Sequence, residues 1–376
     1  MKTLSHEDPA TVPAGGSTKP PTTFAVIGGG YRAGFFLRVA QALPHLFRVC
    51  GVVARREESR TAVEREWGVC AYPTLAELLD EATPDFAVVS VSAGAAPGVI
   101  ADAASRGLPV LTETPPAPDL EGLLSLYRLV EDGARIQVAE QYHLEPLLSA
   151  QIAIARSGRL GSVAEAFASV CHGYHGVSIL RRLLGIGFEN AEVTAHEFRS
   201  RMKAGPDRSG DPQEDHLIDE AHVSARLDFG GRLGVFDFTT DQYRSWIRSP
   251  HVLVRGDRGE LRDTELRYVE DFRTPMRSEI RRIGAGHAGN HEGMFLRGLV
   301  EGGNWLYRNP FAPARLADDE LSVAALLQGM ADYVHGGPEV YSLAEACHDQ
   351  YLALTIQQSV ESGEGIRTKT QPWAAA

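Results

Sequence analysis

Lysine is almost absent from this chain: Lys2, Lys19, Lys203 and Lys369 are the only four in 376 residues. Three of them lie near the ends, so interior chemistry that needs a basic amine has Lys203 alone to draw on. Cysteine is as scarce, and Cys50, Cys70, Cys171 and Cys347 form no C-x-x-C pair. This argues against a disulfide frame and reads as reduced thiols in a cytoplasmic protein. No apolar run reaches membrane-spanning length. Residues 1–22 lack the apolar core of a signal peptide and read as a disordered tail. A net charge of -12 argues against the basic face that a nucleic-acid partner would demand.

What is present is enough apolar residue, 43%, to bury two cores, and a length that calls for two domains. The chain is organised around residues 24–34, an apolar strand that runs into Gly28-Gly29-Gly30 and then into an apolar helix through Phe35, Phe36, Leu37, Val39 and Ala40. Taken as G-x-G-x-x-A on Gly28, Gly30 and Ala33, this is the form that cradles a dinucleotide. Gly28 permits the turn, Gly30 lets the backbone approach a pyrophosphate, and Ala33 lets helix and strand pack closely.

Strands then alternate with helices for about 120 residues. Phe47 to Ala54, Asp85 to Ser92, Leu108 to Thr114 and Ile136 to Glu140 read as strands, and helices separate them. The pattern predicts a doubly wound parallel sheet over residues 23–145. The second strand ends in Ala54-Arg55-Arg56, where a carboxylate would hold ribose hydroxyls and an arginine would take a 2′-phosphate. NADP is therefore the expected cofactor, with NAD as the alternative.

From residue 146 the pattern changes. A helix over Leu147 to Ser157 and a strand over Ser162 to Val170 precede Cys171-His-Gly-Tyr-His-Gly-Val, where a helix begins near Gly176. Strands follow at Ala191 to Phe198, His222 to Phe229, Leu233 to Thr240 and His251 to Arg255, with a Gly/Pro/Asp-rich loop over 203–215. Helices at 291–301, 319–335 and 342–362 close the chain. The expectation is an α/β protein whose C-terminal α+β domain, residues 146–376, carries a large, mainly antiparallel open sheet.

This arrangement resembles the glucose-fructose oxidoreductase, inositol dehydrogenase and MocA family over about residues 23–368. The resemblance rests on the glycine turn, on Thr112-Glu-Thr-Pro115 where the family carries Glu-Lys-Pro, and on Gly173-Tyr-His-Gly-Val-Ser-Ile-Leu where it carries Gly-x-His-x-x-Asp-x-Leu. It implies hydride transfer between a nicotinamide and a sugar-like or polyol hydroxyl, or the matching ketone, with the family's lysine and histidine handling the hydroxyl proton. Only part of that set is here. His175 matches the histidine, and Glu113 and Pro115 match their positions. The lysine is replaced by Thr114, an early aspartate by Cys171 and a later one by Ser178.

The candidate residues follow. The dinucleotide set is Gly28, Gly30, Tyr31, Arg32, Ala33, Arg55, Arg56, Ser92 and Glu113. His175 is the acid/base, kept neutral by the positive helix end, with Thr114 and Tyr174 as neutral hydrogen-bonding partners. Cys171, His172, Ser178 and Lys203 are expected at the substrate, and Lys203 or an arginine nearby is expected to supply the missing positive charge. No metal is expected. His172 and His175 lack a third ligand by spacing, Asp215 to His222 reads as a solvated edge or as substrate contacts at a strand entry, and His287 and His291 flank a helix start. The partner is a small molecule, and the open sheet suggests a homo-oligomer, a dimer or tetramer. Two rivals stand: a dinucleotide-binding regulator that no longer turns over, and a lyase or epimerase that uses a tightly held cofactor transiently.

Overall fold

The computed structural model describes residues 20–286 and 294–375. Its first part is a six-stranded parallel sheet. The strands are β1 (Thr22–Ile27), β2 (Phe47–Val53), β3 (Ala71–Tyr72), β4 (Phe86–Val89), β5 (Val110–Thr112) and β6 (Ile136–Val138). They lie in the order β3-β2-β1-β4-β5-β6. The crossovers are helices α1 (Ala33–Ala42), α2 (Glu57–Trp67), α3 (Leu75–Glu81), α4 (Ala96–Ser105) and α5 (Leu120–Glu131). This is the doubly wound Rossmann order, in which strand order reverses between β1 and β4 and ligands bind beyond the strands' carboxyl ends. Val88, Val89, Val110 and Leu111 are fully buried because helices cover both faces of the sheet.

The second part opens with α6 (Pro146–Arg156), β7 (Val163–Ser169) and α7 (Gly173–Leu184). The strands that follow are β8 (Glu192–Lys203), β9 (Leu217–Asp228), β10 (Leu233–Thr239), β11 (His251–Gly256), β12 (Gly259–Arg262), β13 (Glu265–Val269) and β14 (Pro275–Glu279). A three-stranded unit follows, β15 (Arg281–Ala285), β16 (Phe295–Glu301) and β17 (Asn304–Arg308). Helices α8 (Asp318–Val334) and α9 (Leu343–Ser362) and a short β18 (Ile366–Arg367) close the described chain. The larger sheet has nine strands in the order β14-β13-β12-β11-β7-β10-β9-β8-β18. Its pairs are antiparallel except β7 with β10.

α7 lies close against this sheet because residue 176 is glycine. A Cβ there would meet the Phe236 ring at 2.5 Å. The helix is tied to α9 by Arg181, 2% exposed, whose guanidinium meets the Asp349 carboxylate at 2.6 Å and the Glu345 carboxylate at 2.9 Å. These contacts fix the helix whose first turn carries His175.

Three expectations need correction. The helix expected over 291–301 is instead β16 from Phe295 on, its residues pairing with β15 and β17. Antiparallel pairing with the neighbouring strands on either side overrides local helical character there. Thr22 is not part of a tail but opens β1, opposite Phe47. The rest of the expected tail up to residue 19, and His287 and His291, lie outside the described residues. Finally, β8 and β9 are each twelve residues long, well past the ends read from the sequence, because they pair with each other along their whole length.

Candidate active site

A cleft of about 1080 Å³ opens at the carboxyl ends of the parallel strands. Gly28, Gly30, Tyr31, Arg32, Arg55, Arg56, Ser92 and Glu113 all line it. Gly28 has φ +117°, and a Cβ on it would stand 2.0 Å from the Ser90 carbonyl oxygen, so only glycine fits between β1 and β4. A Cβ on Gly30 would meet nothing within 4 Å, which leaves that backbone open to a pyrophosphate. Ala33 is 1% exposed and packs beneath the turn rather than lining the cleft. Arg55 and Arg56 follow β2 with no ion pair among the described residues, facing the place where a ribose 2′-substituent lies in this fold.

A second space of about 640 Å³ adjoins the first. Tyr31, Arg32, Glu113, Thr114 and Arg208 border both, so they mark the seam between dinucleotide and substrate. Arg32 donates from Nε to Glu113 at 3.1 Å and from Nη2 to Gln141. His172, Tyr174 and His175 stand on the wall of this second space.

His175 has a partner that the sequence did not reveal. Its Nδ1 lies 2.5 Å from Oε2 of Glu140, just past the end of β6. Both are nearly sealed from solvent, Glu140 at 1% exposure and His175 at 7%. The rings of Tyr174 and Tyr142 stand 4.3 and 4.5 Å from the imidazole, and that of His172 at 5.0 Å. Burial is the chief reason that His175 is pushed down to about 3 and Glu140 up to about 8. Both partners therefore favour their neutral forms. The expectation of a neutral imidazole agrees, but burial is the main cause; α7 begins at Gly173, so His175 sits inside its first turn.

The helix start also places His172, its N-cap, beside Tyr243. His172 Nδ1 meets the Tyr243 hydroxyl at 2.6 Å, and that hydroxyl lies 3.2 Å from that of Tyr142. Burial, then His175, lowers His172 to about 4. Burial raises the Tyr174 phenol, with the Thr114 side chain working against it. No metal site forms among the described residues.

Three expected substrate contacts stand elsewhere. Cys171 is fully buried and lines neither space. Ser178, within α7, is fully buried, its hydroxyl 3.2 Å from that of Tyr341. Lys203 ends β8, exposed, and pairs with Asp215 across the hairpin. The cation that does reach the cleft is Arg208, five residues on, whose guanidinium sits 4.5 Å over the Tyr31 ring. Glu140, Tyr142 and Tyr243 were missed by sequence reasoning, which expected an arginine near Lys203 as the alternative cation without naming Arg208. For Glu140 there was one usable signal, its place at the carboxyl end of a parallel strand.

The arrangement can hold a dinucleotide across the glycine turn and move a proton at His175 Nε2, the ring nitrogen not engaged by Glu140.

Comparison with known proteins agrees with this geometry. Residues 22–140 match the model of the GFO_IDH_MocA oxidoreductase family, described by its NAD-binding Rossmann fold. A search of the curated proteins finds no match for the chain. Among solved structures, an Agrobacterium radiobacter oxidoreductase in complex with NAD+, L-tartaric acid and magnesium is 16% identical, with a TM-score of 0.66 over 92% of this chain and 98% of that one. The WlbA dehydrogenase of Bordetella pertussis, in complex with NADH and UDP-GlcNAcA, is 14% identical, with a TM-score of 0.63 over 93% and 100%. The scyllo-inositol dehydrogenase of Lactobacillus casei is 12% identical, with a TM-score of 0.63 over 96% and 100%. At such identities the likeness is one of fold. Residues 22–140 are thus similar to the NAD-binding Rossmann part of the Gfo/Idh/MocA oxidoreductase family, and the chain as a whole shares the fold of these solved oxidoreductases.

Proposed function

We propose that this protein transfers a hydride between a nicotinamide, NADP in preference to NAD, and a sugar-like or polyol small molecule bearing a hydroxyl or the matching ketone. The observation that carries the reading is the buried Glu140 and His175 pair on the wall of a space that shares Thr114, Glu113 and Arg32 with the dinucleotide cleft. Removing a hydride from an alcohol carbon requires a base at its oxygen, and returning one to a ketone requires an acid there. His175 Nε2 serves both directions, and Glu140 orients the ring through Nδ1 and exchanges the proton.

Thr114 and Tyr174 offer neutral hydrogen bonds to the reacting oxygen. Arg208 takes the place that Lys203 was expected to fill: it supplies positive charge at the seam without shuttling a proton. Arg55 and Arg56 support the choice of NADP. The proteins of similar fold support the substrate class, since their bound or named substrates include UDP-GlcNAcA and scyllo-inositol. Exposed Phe198 and Met276 on strands of the nine-stranded sheet support a homo-oligomer, a dimer or tetramer, which sedimentation at micromolar concentration tests.

The deciding experiment is fluorescence titration of the protein with NADPH and NADH, followed by absorbance at about 340 nm with a panel of polyols and keto-sugars. Nucleotide binding with a net absorbance change supports the reading. Binding with product formed and no net change assigns transient use of the cofactor. Binding without turnover of any panel member favours a regulator.

A further inference from the structure

The wall of the substrate space carries charges that have no ion-pair partner among the described residues. Glu145, at the start of α6, and Asp319, in the first turn of α8, both line it, and so does Gln151 of α6. Gln151 is 2% exposed. Its amide nitrogen donates to the Asp263 carbonyl at 2.9 Å, which fixes the amide's orientation because a carbonyl oxygen accepts only from N–H. Its Oε1 is left buried with no hydrogen-bond partner among the described residues. An unmet buried acceptor is costly, and natural structures rarely keep one without a ligand or water to meet it.

The two carboxylates have no ion-pair partner among the described residues, although Asp319 Oδ1 accepts a hydrogen bond from the Glu320 backbone N–H at 2.9 Å. Burial and the carboxylates of Asp319, Asp318 and Glu140 push Glu145 up to about 8, and the cation acting against them is Arg32. Arg32 is already committed to Glu113 and Gln141. Asp319 is likewise raised, by burial first, against the hydrogen bond from the Glu320 N–H and against Arg32 and Arg38, with the Glu320 charge adding to burial; Arg38 is paired with Glu320 at 2.9 Å. Asp318 by contrast has its own partner in Arg282, with both oxygens bonded at 2.6 Å. Arg208 and Arg244 line the same space but are not among the charges acting on Glu145. Among the described residues no cation pairs with Glu145 or Asp319, and a compact cation that donates several hydrogen bonds would answer both carboxylates. A metal ion fits poorly, since no group of three metal-ligating side chains forms among the described residues. A primary ammonium has three donors and one positive charge.

We propose that Glu145, Asp319 and Gln151 form a subsite for a protonated amino group on the substrate, so that the molecule turned over is an amino sugar or aminocyclitol. This rests on the oxidoreductase reading for its reacting hydroxyl, while the subsite itself is read by binding alone. An ammonium between the two carboxylates stabilises their charged forms, so at neutral pH its binding expels a proton from Glu145.

The test is calorimetry on the NADPH-loaded protein with D-glucosamine, N-acetyl-D-glucosamine and D-glucose, in buffers of different ionisation enthalpy. Glucosamine is expected to bind about tenfold or more tightly than the other two and to release a proton. Glu145→Gln is expected to erase that preference and the proton release while NADPH affinity stays unchanged. Asp319→Asn, which keeps the side chain's volume and helix-start position, is a second variant with the same expectation should the first not fold. Glucosamine binding no tighter than glucose, including the case where neither is held, overturns the proposal, as does a preference that survives both variants. The oxidoreductase reading would stand in either case, because NADPH binding and turnover of neutral polyols are measured separately.

Discussion

Glu140 Oε2 and His175 Nδ1 lie 2.5 Å apart, joined across the seam between the parallel sheet and the first turn of α7. Two groups that both resist charge titrate as a unit. Below about 8 the pair retains its proton and Nε2 carries a hydrogen, the form that protonates a ketone oxygen. Above it the proton is lost, Glu140 becomes the acceptor of Nδ1–H, and Nε2 becomes a base. Alcohol oxidation is therefore expected to rise with pH through about 8, and ketone reduction to fall through the same point. Glu140→Gln is expected to remove that inflection from both pH profiles with the KM for nucleotide unchanged; an inflection that persists in the variant refutes the pairing.

The same pair makes stability depend on pH. Glu140 binds its proton more tightly folded than unfolded, so its contribution declines as pH rises from about 4.5 to about 8. His175 is depressed and acts in the opposite direction up to its ordinary 6.5. Between 6.5 and about 8 the decline is unopposed. Melting temperatures across that window are expected to fall in the native protein and to fall less steeply in Glu140→Gln, where Glu145 keeps its own share of the decline.

Replacing His175 with asparagine removes the proton-transfer group but keeps a polar side chain. Turnover is expected to drop roughly a hundred- to ten-thousandfold. NADPH fluorescence titration should give the native affinity, since His175 borders the substrate space and not the dinucleotide cleft.

Arg55→Ala removes one charged partner of a 2′-phosphate, worth about 1.5 to 3 kcal/mol. NADPH binding is expected to weaken about ten- to a hundredfold and NADH binding hardly at all. Equal weakening of both would assign Arg55 to the shared part of the nucleotide.

Gly28→Ala forces a Cβ to within 2.0 Å of the Ser90 carbonyl oxygen at φ +117°. The expected loss is about 3 kcal/mol or more, seen as a lower denaturation midpoint, together with loss of nucleotide binding. Gly30→Ala, with nothing within 4 Å of the new methyl, should fold normally and impair binding alone.

The sequence by itself determined the parallel sheet. Its strands are short apolar runs, its helices separate them at regular intervals, and the Gly28 turn follows from backbone geometry that only glycine satisfies. These are local signals, complete within about ten residues. The acid/base candidate was also legible, since His175 sits in a compact motif at a strand-to-helix junction. The tertiary structure alone decided the rest. β16 is a strand because it pairs with β15 and β17 on either side, and Cys171 and Ser178 are buried by the packing around α7. The connection between β8 and β9 pairs Lys203 with Asp215 and sets the Arg208 guanidinium over the Tyr31 ring. Glu140 meets His175 across 35 positions of chain, and Asp319 shares a wall with Glu145 across far more. Pairings of that span leave no periodicity to read, and the charge states of such groups follow from burial, which is a property of the packed molecule.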